Sequence, residues 1–149
     1  MAIYISTKTY TAPQNLTCCY RHHNATNRGT LLHGYALGFR MVFECHHLDD
    51  NDWTMDFSGF DEVDAWLRGQ FDHTLLVNEN DPDLTTFRDM AAAGLCDIRV
   101  TSGIGCEKFA EMTFKWIKDW MQQRGMLTRV TIRSVECMEH DGASAIYVE

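Results

Sequence analysis

Apolar side chains occupy alternate positions at Tyr35, Leu37, Phe39, Met41 and Phe43. That period of two predicts a strand from His33 to about His46 and places His33 at the head of its apolar face. The stretch Ile3 to Tyr10, rich in Ile, Tyr and Thr, predicts an earlier strand. Residues 11 to 32 hold Pro13, adjacent cysteines, Asn, Gly and His22-His23 without steady periodicity, so they read as a long loop. Loops of that length inside a domain usually serve a function. Leu48 to Asp52 reads as an acidic turn. Ser58 followed by Asp61 resembles a capping box, and Phe60, Val63, Leu67 and Phe71 then recur at helical spacing, predicting a helix from 59 to 70. Pro82 to Ala93 has helical character ending at Gly94, and Ile98 to Val100 is a short extended piece. A second main helix begins near Gly105. Phe109, Met112, Trp116 and Trp120 form its apolar stripe, as expected of core packing, while Lys108, Glu111, Lys115, Lys118 and Gln122 form the wet face.

Two closing strands are predicted over 128 to 138 and 143 to 148, joined by Asp141-Gly142 turn chemistry. Two strands, two main helices and two strands make an α+β domain: an antiparallel four-stranded sheet with both helices on one face. Such a sheet has open edges, which a symmetric homo-oligomer would cover.

Composition narrows the possible functions. The 149 residues are 45% apolar, enough for one domain spanning 1–149 with a real core. A formal charge of -8 without a basic stripe argues against nucleic acid bound through its phosphates. No run approaches the roughly 18 apolar residues that cross a bilayer, and Met1 to Tyr10 lacks the regions of a signal peptide, so no membrane partner is expected. Six cysteines contain no C-x-x-C pair, and a chain with this much core needs no disulfide framework, which points to the cytoplasm.

Several side chains are candidates for chemistry. Counting by two from Val130 and Ile132 puts Glu136 on the apolar face of its strand, where a carboxylate needs a partner. That partner is either a ligand or a cation such as Arg129 or Arg133. Asp72-His73 closes the first helix; the Asp can fix the imidazole tautomer, or the His can simply meet the helix dipole. Gly105-Cys106-Glu107 opens the second helix, where free N–H groups can lower the Cys106 pKa, though a buried cysteine is commonly inert packing. Glu107 is also a favourable first-turn acid. His33, with His22-His23 about ten residues earlier, suggests a metal site, although the spacing does not choose the ligands.

The ordered set His33-Gly34-Tyr35, Asp56-Phe57, Phe71-Asp72-His73, Gly105-Cys106-Glu107-Lys108-Phe109-Ala110-Glu111 and Val135-Glu136 resembles the 6-pyruvoyltetrahydropterin synthase and 6-carboxytetrahydropterin synthase family over nearly the whole chain. The resemblance implies the tunnelling fold, assembled as trimers or hexamers with substrate sites between subunits. It also implies a lyase acting on 7,8-dihydroneopterin triphosphate, in queuosine, deazapurine or pterin biosynthesis. Glu136 would anchor the pterin, with Cys106 and Glu107 lining its pocket. Asp72 and His73 would be the catalytic acid/base pair, and His33 with His23 would hold Zn2+. Two departures stand out. Tyr35 replaces the second histidine of the family's His-Gly-His, with Tyr20 near the position of an earlier ligand, and Gly29 stands where the family has its catalytic cysteine. Three readings follow: a lyase using His73, Cys106 or a loop cysteine for proton transfer, a pterin- or purine-binding relative with another activity such as aldol cleavage, or a noncatalytic binding protein.

Overall fold

The strand His33–Cys45 is the spine of the molecule because both of its edges are paired and its odd positions face the core. The structure is a computed structural model describing residues 1–11, 16–140 and 142–149. In chain order the elements are β1 (Tyr4–Tyr10), β2 (Leu16–Tyr20), β3 (His33–Cys45), α1 (Asp61–Phe71), β4 (Thr74–Asn78), α2 (Leu84–Ala92), β5 (Ile98–Thr101), α3 (Cys106–Gln123), β6 (Val130–His140) and β7 (Ala143–Val148).

The expected antiparallel four-stranded sheet is present as β1-β3-β6-β7, but it is one half of a larger sheet. Along one edge of β3, β1 pairs with positions 39 to 45 and β2 with positions 33 to 37. β2 then carries β4 and β5 in parallel register, so the described residues form a seven-stranded mixed sheet.

This corrects the four-strand count, and each omission has a physical reason. β2 lies in the stretch read as loop: Leu16, Cys18 and Tyr20 alternate inward at 1–3% exposure, with cysteine serving as a small apolar residue. β4 is buried on both faces, so its Leu75-Leu76-Val77 run has no alternation to recognise, as expected of a strand in a parallel sheet. The Asp141-Gly142 turn lies partly outside the described residues, since Asp141 is not among them.

The helices pack over the odd face of β3. Val63, Leu67 and Phe71 of α1 meet Phe109, Phe114 and Ile117 of α3 in one cluster with Phe39, Met41 and Phe43. Each fully buried aromatic or aliphatic side chain there stabilises the fold by roughly 1.5–3 kcal/mol relative to exposure. The buried side of α3 is wider than predicted, whereas Trp116 is only half-buried and stacks on Trp66 at 4.8 Å. The expected capping box does not form. Ser58 belongs to a short 3-10 turn and donates to Asp56, and the first residue of α1 is Asp61.

Candidate active site

A β-bulge decides which carboxylate of β6 faces inward. Met41 opposes Val135 and Val42 opposes Ser134, but Phe43 opposes Ile132, leaving Arg133 as the extra residue. An extra residue reverses the alternation beyond it. Val130 and Ile132 are buried before the bulge, and Val135 and Cys137 after it. Glu136 is therefore on the opposite face from the one that counting by two predicts. It opposes Arg40 and accepts a 2.7 Å hydrogen bond from Ser144 Oγ, while Arg133 pairs with Glu44.

The inward parity runs on to Glu139, which sits at a second irregularity where Met138 opposes Ser144 but His140 opposes Ala143. Its carboxylate acts electrostatically on Tyr35, Tyr20, Cys106 and Cys137. Glu139 is thus the carboxylate at the end of an apolar face. Nothing in the residue pattern marks the bulge that puts it there.

Aromatic rings wall this end of the sheet. Tyr20 at the end of β2 is buried and stacks on Tyr35 of β3 at 4.1 Å and 11°. Phe109 of α3 meets the Tyr20 ring edge-on at 5.2 Å, and His22 does so at 5.9 Å. Burial raises the pKa of both phenols. The Glu139 carboxylate adds to the shift at Tyr35 by charge and by hydrogen bonding. Both rings therefore remain neutral donors near neutral pH.

The opening of α3 closes the site. Gly105 has φ +108, which strains any residue with a β-carbon, and a β-carbon there would also crowd His22 Cε1 at 3.0 Å. Cys106 follows as the first helical residue. Its pKa is lowered, chiefly by a hydrogen bond from the Cys137 thiol and against the effect of burial. Cys137 shifts upward as the donor, and burial pushes Cys18 up to about 12. Cys106 is the acidified thiol of this cluster. The cause is a neighbouring thiol more than the helix dipole.

Asp72 and His73 form a pair of their own. His73 Nδ1 lies 3.0 Å from Asp72 Oδ1, and the same oxygen accepts from Thr17 N at 3.2 Å. The His73 side chain is 85% exposed on a backbone with φ +58, and among the described residues its ring hydrogen-bonds Asp72 alone. Cys106 and Glu107 thus border the aromatic cluster, while the His73 ring projects into solvent and Glu136 lies on the other face of the sheet.

A mixed sheet backed by helices, with a carboxylate beside aromatic rings at a helix N-terminus, is the architecture of a tunnelling-fold domain. The sequence model for 6-pyruvoyl tetrahydropterin synthase matches residues 9–149. The chain belongs to that family. Solved structures share the fold at low identity. An uncharacterized protein of Wolinella succinogenes has a TM-score of 0.83 at 16% identity and covers 99% of each chain. The 6-pyruvoyl tetrahydropterin synthase of Plasmodium falciparum has a TM-score of 0.66 at 13% identity, covering 97% of this chain and 98% of its own. The Caenorhabditis elegans enzyme has 0.64 at 15%, covering 100% and 97%. No curated protein sequence matches.

The residues present do not fit the zinc that the family resemblance implies. His33 Nδ1 engages Leu31 O at 2.9 Å, which leaves Nε2 free but without companion ligands among the described residues, and His23 lies within electrostatic reach of Asp81 instead. Among the described residues no three His, Cys, Asp or Glu side chains gather as a metal would need.

Proposed function

We propose that the protein binds the ring of a pterin-like substrate in the Tyr20–Tyr35–Glu139 pocket and acts as a lyase of the 6-carboxytetrahydropterin synthase type on 7,8-dihydroneopterin triphosphate. The observation that carries this reading is the inward carboxylate of Glu139 beside a stacked aromatic wall. A carboxylate accepts from two adjacent N–H donors on a heterocycle edge, and the wall covers the apolar ring face. Within one chain, the acidified Cys106 lies within electrostatic reach of that anchor and serves as the proton acceptor. Asp72 and His73, whose imidazole projects outward, act on substrate bound to a neighbouring copy, which makes the working unit a homo-oligomer.

A second reading is supported by Gly29, which stands where the family's cysteine is expected: a pterin- or purine-binding protein with another activity or none. Incubation with 7,8-dihydroneopterin triphosphate separates the two. The lyase releases acetaldehyde and a pterin product, and Glu139→Ala loses ring binding while Glu136→Ala retains it. Binding without product supports the second reading, and absence of ring binding by the folded wild-type protein overturns both.

A further inference from the structure

We propose that this chain replaces the family's metal centre with a metal-free tyrosine ledge, in which the Tyr35 hydroxyl, steadied by Tyr20 and Glu139, is a neutral hydrogen-bond donor to a hydroxyl or carbonyl on the ligand's side chain. The inference rests on the proposed reading of the pocket for its ligand, but not for its statement about metal.

The geometry begins in the register of β2 with β3. Tyr20 opposes His33 and Cys18 opposes Tyr35, so these four side chains share one face of the ribbon. A histidine set there would converge on an ion. This chain instead has two parallel phenol rings 4.1 Å apart, a separation that leaves no room for an ion between them. Phe109 and His22 brace Tyr20 from the sides, and Tyr20 is 1% exposed, so the stack cannot open without disturbing the core. A phenol binds zinc well only as the phenolate, and burial together with the Glu139 charge opposes that form. His33 alone supplies too few ligands.

What remains is a donor and an acceptor side by side. Tyr35 O–H donates to Glu139 in the free protein; when ring N–H groups of the ligand take up that carboxylate, the single phenol proton turns to a ligand oxygen. Tyr35 is thus a specificity-determining residue, selecting ligands with an oxygen on the side chain.

Two measurements test the inference on the intact protein. In competition with a chromophoric zinc chelator, wild type and His33→Ala are expected to agree within about twofold, whereas Tyr20→His/Tyr35→His gains at least about 100-fold in zinc affinity. Zinc bound one per chain by wild type and weakened tenfold by His33→Ala or Tyr35→Phe overturns the metal-free site. So does a folded double-histidine variant that gains nothing; if that variant does not fold, the comparison of wild type with His33→Ala decides. In fluorescence titration, Tyr35→Phe is expected to weaken neopterin, which carries side-chain hydroxyls, by about three- to tenfold and to leave pterin itself unchanged. Equal losses for both overturn the ledge. If wild type binds neither, the ligand reading fails and the zinc result still decides the metal question.

Discussion

His73 holds a left-handed backbone conformation, with φ +58, that only glycine adopts freely. Its amino side is pinned to β2, because His73 N donates to Thr17 O and Asp72 Oδ1 accepts from Thr17 N. His73→Gly should keep stability within about 0.5 kcal/mol, because relief of strain offsets the added freedom of the unfolded chain, while β-branched His73→Val should cost about 1–2 kcal/mol. Urea denaturation checks the contrast; equal stability of the two would show that the turn is unstrained. Thr113 offers the opposite case. Its hydroxyl is buried in α3 with no hydrogen-bond partner among the described residues. Thr113→Val removes that unmet group at nearly constant shape and should raise stability by about 1 kcal/mol, read as a higher denaturation midpoint at unchanged slope. At this scale the Asp72-His73 pair and the helix-opening Cys106 were legible in the sequence. Glu139 was not, because one unpaired residue, Arg133, inverts every inward position after it.

The loop between β2 and β3 is tied down by one cation. Arg21 forks onto Asp81 at 2.6 and 3.0 Å, reaches Asp83 at 2.8 Å and lies over the Phe87 ring. Asp81 is 2% exposed, so removing Arg21 leaves a carboxylate buried without its cation. Arg21→Ala should cost roughly 2–4 kcal/mol at pH 7 and loosen the segment that carries His22. Hydrogen bonding from Arg21 lowers the Asp81 pKa. A depressed carboxylate contributes stability above its unfolded value of about 3.9 and loses it as pH falls through the folded value. The wild-type advantage over Arg21→Ala should therefore shrink below about pH 4; an advantage constant from pH 7 to pH 3 would remove Asp81 from the account. Element type followed periodicity closely in β3, α1 and α3. It failed in β2, where cysteine carries the apolar pattern, and in β4, where burial on both faces erases it.

Among the described residues the antiparallel half ends in two unpaired edges, since β1 pairs there only with β3 and β7 only with β6. Those edges carry apolar side chains in solvent: Tyr4 and Ile5 on β1 are 44% and 50% exposed, and Ile146 and Val148 on β7 are 62% each. A sheet that left such edges open would invite uncontrolled pairing. Because the two edges differ, joining β7 of one copy to β1 of the next would be a head-to-tail contact, which generates a ring where its rotation closes. The same closure would let the outward-facing Asp72–His73 pair approach a neighbouring Glu139 pocket, linking assembly to the proposed chemistry. Light scattering should accordingly give a mass of three or six times 17.2 kDa. Ile146→Lys/Val148→Lys should shift it to a single subunit, with the circular dichroism spectrum unchanged, because exposed substitutions of this kind alter fold stability little. Turnover, where the wild type shows it, should fall with assembly while pterin binding by Glu139 weakens less. A wild-type protein that is monomeric at micromolar concentration and still turns over substrate would show that one chain suffices, and His73 would then need a path to the pocket within its own subunit.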